Sequence, residues 1–218
     1  LAQSHLRSIG ILGGTFNPPH LGHLVLAAAA RSELELERVF LMPVHTPPHK
    51  PIAQDPGPEH RLRMCRALAD GAQSLAACAL EVERAGLSYT VDTLEAIHAS
   101  HPQAELTLVM GADTAATLAD WREPRRLLEL ARLAVAGRDG AGPEQTLAAI
   151  ARVQPQSAQQ RAAGARVSFL ALAPIEASSS LVRRRAAEGE PIEDLVGKGV
   201  AGYIAEHRLY RAPVKARS

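Results

Sequence analysis

The sequence predicts an α/β fold, a doubly wound and mainly parallel sheet of about six strands with helices on both faces. Three observations predict it. Short apolar runs, many with β-branched residues, alternate with longer Ala/Leu/Arg-rich stretches of helical period, which is the pattern of repeated βαβ units. Apolar residues make up 46% of the 218 and charged residues 22%, enough to fill a real core and too apolar for a disordered chain. The residues that no core requires fall at the carboxyl ends of the apolar runs, where open parallel sheets bind ligands.

Residues 8–12, "SIGIL", read as the first strand, "LGHLVLAAAARSEL" (21–34) as the first helix and "RVFLMPV" (38–44) as the second strand. The next stretch, "HTPPHKPIAQDPGP" (45–58), has five prolines, a glycine and no period, so it is a loop too long for a plain connector. "EHRLRMCRALAD" reads as a helix, "CALEVER" as a strand, "TVDTLEAIHASH" as a helix and "ELTLVMG" (105–111) as a buried strand ending in glycine. "EPRRLLELA" is a helix, "RLAVAGR" a strand, "PEQTLAAIARVQ" a helix and "RVSFLAL" (166–172) the last strand. "ASSSLVRRRAAEG" follows, and "KGVAGYIAEHRLYR" closes the chain as a helix. No repeat or low-complexity linker divides these elements. The expectation is one Rossmann-like domain over 1–218, with a core at 8–172 and a C-terminal helical part at 173–212.

The formal charge of +1 and a pI near 8.1 are too mild for a general nucleic-acid binder, so any anion site must be local. Cys65 and Cys78 form no CxxC pair and indicate neither a disulfide framework nor a zinc ribbon. No apolar run approaches membrane-spanning length, and the first residues carry no charged-then-apolar signal pattern. A cytoplasmic protein without nucleic-acid or membrane partners is therefore expected.

At the end of the first strand, Gly13 and Gly14 allow the chain to turn sharply and a ligand to approach the backbone. Pro18 and Pro19 stiffen the approach to a helix that starts near His20. Its free N–H groups and positive dipole end favour phosphate. His20 and His23, three apart, project from one face of the first turn. Two histidines at this spacing, with His45 and His49 near in sequence, also admit a metal site, although no acidic or Cys ligand joins them at a familiar spacing.

The stretch "GGTFNPPHLGH" resembles the signature of the nucleotidylyltransferase superfamily with its HxGH motif, here His20-Leu21-Gly22-His23. Within it the chain is similar to the bacterial nicotinate-nucleotide adenylyltransferases. "MPVHTPPHK" resembles that family's second loop, in which Lys50, one of only three lysines here, would lie near the phosphates. "GLSYTVDTL" is similar to the SYT-xx-TL element, carried by Ser88, Tyr89, Thr90, Thr93 and Leu94; Thr90 and its neighbours would hold the nicotinate carboxylate. Unaided, Thr90 reads first as an ordinary helix cap. "GADTAATLADW" matches the pattern of glycine, acid and tryptophan in Gly111, Asp113 and Trp121. Asp113 would accept from ribose hydroxyls and Trp121 would stack on a pyridine ring, where the residue alone suggests core packing. "ASSSLVRRR" resembles the ISSTxxR motif through Ser178, Ser179, Ser180 and Arg183, with Ala177 and Ser180 as departures. The closing "GVAGYIAEHRLY" is also similar to the family's last helix, with Gly197 where proline is usual and His207 in a structural role.

The resemblance implies transfer of AMP from ATP to nicotinate mononucleotide, with Mg²⁺ accompanying ATP. It assigns His20, His23, Lys50 and Arg183 to catalysis. It assigns Gly13, Gly14, Thr15, Phe16, Gly111, Asp113, Arg138, Ser178, Ser179 and Ser180 to ATP, and Asn17, Tyr89, Thr90 and Trp121 to the nicotinate nucleotide. Both histidines are expected to be protonated by anionic neighbours. The rivals are an adenylyl- or cytidylyltransferase using nicotinamide mononucleotide or phosphopantetheine, and a non-catalytic nucleotide-binding module. Intact His20, His23 and Arg183 disfavour the module, and a synthetase reading lacks the length.

Overall fold

The computed structural model describes residues 6–48, 51–137, 143–153, 166–172 and 176–211. Six strands pair in the order β3-β2-β1-β4-β5-β6, and every pairing is parallel. They are β1 (Ser8–Gly14), β2 (Arg38–Pro43), β3 (Leu75–Ala77), β4 (Glu105–Gly111), β5 (Ala131–Gly137) and β6 (Val167–Ala171). The central strands β1, β4 and β5 are buried almost without alternation, because helices cover both faces of the sheet.

Strand period two divides the core. Leu12, Val39, Leu41 and Val109 point to the side covered by α1 (Leu21–Glu33) and α2 (Pro58–Ala69). The closing helices α8 (Ser179–Glu188) and α9 (Glu193–Glu206) bury Val182, Val196 and Ile204 in that same cluster. Ile9, Ile11, Met42, Leu106 and Leu108 point to the other side, under α4 (Thr90–Ser100), α6 (Pro124–Leu130) and α7 (Pro143–Val153). The short helix α5 (Ala112–Ala115) directly follows β4. The chain thus builds outward from β1 through β2 and β3, then returns to lay β4 on the other side of β1. Strand direction of growth reverses between β1 and β4, and that switch point opens a crevice at their carboxyl ends.

Two local expectations change. The strand expected in "CALEVER" lies earlier, at β3, and Leu80–Arg84 is a short helix, α3. A strand would send Glu81 and Val82 to opposite faces, whereas the helical turn buries both. Gly197 interrupts α9 at φ 77, ψ 164, a conformation closed to the proline usual there in the family it resembles.

Candidate active site

Gly13 and Gly14 remain in β1, opposite Met42 and Pro43 of β2. The sharp turn expected of them is made later, by Phe16 at φ 52. A left-handed phenylalanine is strained, and burial supports it: its ring is 2% exposed and packs 4.8 Å from the His23 ring. A Cβ on Gly13 would meet nothing within 4 Å, so the strand end is open to a ligand. Asn17 faces inward. Its Oδ1 accepts from the Tyr210 hydroxyl at 2.7 Å, and its Nδ2 donates to the Ala53 carbonyl at 2.7 Å. The side chain expected on the nicotinate nucleotide is therefore engaged in joining three segments of the protein.

His20 is the N-cap of α1, and His23 Nδ1 accepts the His20 backbone N–H at 3.1 Å. The two rings lie 3.8 Å apart between centroids. Burial first, and the adjacent His20 second, push the His23 pKa down to about 3. Without an anion the fold therefore favours neutral His23, and the protonated form expected beside phosphates would need an anion strong enough to outweigh burial. With Nδ1 accepting, the hydrogen-bond network assigns the single proton to Nε2 as a donor.

Gly22 is required by close approach. A Cβ there would stand 2.9 Å from His20 Nδ1 and 3.0 Å from its Cε1, so any side chain displaces the His20 ring. Gly22→Ala should lower kcat about tenfold, while the helix itself gains up to about 1 kcal/mol from losing a glycine. Thermal melting beside turnover checks this: unchanged kcat would separate the His20 ring position from catalysis.

A second helix N-terminus docks onto the same loop. Ser178 caps α8, its Oγ accepting from the Leu181 N–H at 3.2 Å. Ser179 Oγ donates to the Pro18 carbonyl at 2.8 Å. Arg183 donates through Nη1 to the Asn17 carbonyl at 2.6 Å, through Nε to Gln54 Oε1 at 3.2 Å and through Nη2 to Ser180 Oγ at 3.5 Å. A guanidinium has five N–H donors, so two remain for an anion.

Arg61 of α2 was not singled out by the sequence reading, yet it organises the loops. It is 0% exposed, pairs with Asp55 Oδ1 at 2.9 Å, and donates to the carbonyls of Thr15, Val44 and His45. The signal was present. Arg61, Cys65 and Leu68 recur at helical spacing on the buried face of α2, where an arginine needs several acceptors. The Pro-rich loop that Arg61 anchors walls a cleft of about 390 Å³ lined by His45, Thr46, Ile52 and Asp55.

Across the crevice, Gly111 ends β4 and Asp113 stands exposed in the first turn of α5. Tyr89 is the N-cap of α4 and makes no side-chain cap, so Thr90 is the first helical residue rather than the cap. The Arg122 guanidinium lies 4.7 Å from the Tyr89 ring centroid and 3.3 Å from Asp92. Trp121 is half-buried against the second core cluster and donates from Nε1 to Thr117 Oγ1 at 3.0 Å, combining packing with a partly open ring. Lys50 and Arg138 lie outside the described residues. Among the described residues no three His, Cys, Asp or Glu side chains are grouped to hold a metal ion, and no helix is long and apolar enough to cross a membrane.

Residues 11–185 match the family model described as cytidylyltransferase-like. The chain belongs to this family. Its curated relatives narrow the membership. A protein of Thermomicrobium roseum is 39% identical over 93% of this chain and 91% of its own. One of Pelobacter propionicus is 38% identical over 93% and 97%. Both are named "probable nicotinate-nucleotide adenylyltransferase". Among solved structures, the Plasmodium falciparum nicotinic acid mononucleotide adenylyltransferase complexed with NaAD aligns at TM-score 0.71 with 16% identity, over 94% of this chain and 97% of that one. A nicotinate-nucleotide adenylyltransferase of Vibrio parahaemolyticus, described as putative, aligns at 0.64 with 19% identity, over 96% and 98%. These two establish the shared cytidylyltransferase-like fold.

Proposed function

We propose that this cytidylyltransferase-like protein transfers AMP from ATP to nicotinate mononucleotide, forming deamido-NAD and pyrophosphate in NAD biosynthesis. The observation that carries this reading is the docking of the α8 N-terminus, through Ser179 and Arg183, onto the loop that leads to His20 and His23. It ties the N-terminus of α8 and Arg183 to the loop that leads into α1 with its two histidines, which supports a donor set suited to several phosphates. The curated relatives' shared name supplies the acceptor.

The attacking phosphate is already an anion, so no catalytic base is needed. Catalysis rests on alignment and on offsetting charge at the departing pyrophosphate. His23 donates from Nε2, and His20, Arg183 and Lys50 act on the same phosphates. Gly13, Gly14, Thr15, Phe16, Gly111, Asp113, Arg138 and Ser178 to Ser180 border ATP. Tyr89, Thr90 and Trp121 receive the nicotinate end, the open N-terminus of α4 facing its carboxylate. Asn17 serves from inside the loop. The N–H donors here suit phosphate oxygens rather than a cation, so Mg²⁺ fits as an ion carried on ATP by phosphate oxygens and water. When bound it offsets charge on the leaving phosphates.

Pyrophosphate release with ATP and a panel of nicotinate mononucleotide, nicotinamide mononucleotide and phosphopantetheine tests the reading. Release is expected chiefly with the first. None with it would overturn the proposal.

A further inference from the structure

Glu81 is a carboxylate buried to 5% exposure on α3, outside the ring of residues that face the crevice. Burying an ionised carboxylate is costly unless its oxygens are bonded. Its Oε1 accepts from Thr93 Oγ1 at 2.6 Å, and Arg84 Nη2 in turn donates to that hydroxyl at 3.1 Å. Thr93 Oγ1 also lies 3.3 Å from the Tyr89 carbonyl, but its one proton goes to the shorter, charge-assisted partner. Ser88 Oγ accepts the His45 backbone N–H at 2.9 Å, while Glu81 Oε2 is buried with no hydrogen-bond partner among the described residues, so Thr93 is the hydroxyl that holds the carboxylate. Burial raises the Glu81 pKa, with the Asp92 charge adding to the rise and the Thr93 hydroxyl and Arg84 opposing it.

The two hydroxyls bracket Tyr89 and Thr90. Ser88 N–H also donates to the Thr46 carbonyl at 2.9 Å, so the same turn is stitched to the Pro-rich loop. The carboxylate accepts from Thr93 in a charge-assisted bond. An amide keeps the shape but loses the charge, so its hold on that hydroxyl is weaker.

We infer that Glu81 is a positioning residue that orients Thr93, and through it the first turn of α4, toward the carboxylate of the acceptor nucleotide. The inference rests on the proposed function, in which that helix end receives nicotinate. Glu81 touches no reacting atom, so its effect falls on one substrate.

Steady-state kinetics of wild type, Glu81→Gln and Thr93→Val tests it, each with both substrates varied. Glu81→Gln is expected to raise KM for nicotinate mononucleotide roughly tenfold, with KM for ATP and kcat within about twofold. Thr93→Val, which removes the hydroxyl bonded to Glu81, should shift the same KM in the same direction by less. Equal rises in both KM values, or none in any variant, would overturn the inference. If Glu81→Gln does not fold, Thr93→Val decides it by the same KM split. Wild type that turns over ATP but no nicotinate mononucleotide would instead defeat the parent reading, independently of Glu81.

Discussion

His23→Ala is expected to cut kcat by about 10² to 10³ while KM for ATP changes only a few-fold, the range for loss of one preorganised donor to a charge that develops in the transition state. The ring is fixed on two sides, by the His20 N–H on Nδ1 and by the Phe16 ring, so Nε2–H is aimed before substrate arrives. A kcat within threefold of wild type would remove His23 from the chemistry. The same residue gives a stability signature. The unfolded chain binds a proton on this imidazole near pH 6.5, whereas the folded protein does so only near 3. Between those values the unfolded state holds more protons, so acid favours unfolding. The His23 contribution is complete above pH 6.5 and is lost progressively as pH falls toward 3, amounting to about 2 kcal/mol by pH 5. Denaturant unfolding at pH 7 and pH 5, in a buffer free of phosphate, should show this loss in wild type and a smaller one in His23→Ala.

The fold was legible where burial leaves a continuous signature. β4 and β5 are apolar runs because both of their faces are covered, and α1 and α4 carry the helical period of one buried face. The region of β3 and α3 was not, because three strand residues and a five-residue helix are too short for either period to declare itself. At the site, residues that neighbour one another in sequence were readable, such as His20 with His23 or Ser178 with Arg183. What sequence could not supply was long-range pairing. Tyr210 meets Asn17 across 193 positions, and nothing near either residue announces the contact. Phe16 adopts the turn assigned to Gly13 and Gly14 because tertiary packing overrides the local preference for glycine. The neutrality of His23 depends likewise on burial, which has no local code.

Replacing Arg61 by leucine is expected to destabilise the protein by about 3 to 5 kcal/mol, the cost of removing one partner from a buried ion pair and stranding what it held. For a chain of this size that corresponds to a fall in Tm of about 10 °C. Asp55, 29% exposed, can turn to water, so it is not the main loss. The part-buried carbonyls of Thr15, Val44 and His45 are the larger one, because each lost bond leaves an acceptor facing a side chain without donors. Asp55→Asn in the Arg61→Leu background should therefore restore little, and a double-mutant cycle would show a coupling well below the single cost of Arg61. Lysine is a poor substitute: its three donors radiate from one point, whereas the guanidinium fork reaches Asp55 and three carbonyls on two separate loops. Where the variant remains folded at low temperature, kcat should fall as well. Thr15 lies on the loop leading to His20, and Val44 and His45 begin the Pro-rich loop, so Arg61 sets the spacing between them. A Tm within about 2 °C of wild type, or full rescue by Asp55→Asn, would show that the loops hold their spacing without it. The sheet places the ends of β1 and β2 side by side, but their loops have no ladder to hold them; on this account a buried cation takes over where the strand hydrogen bonds stop.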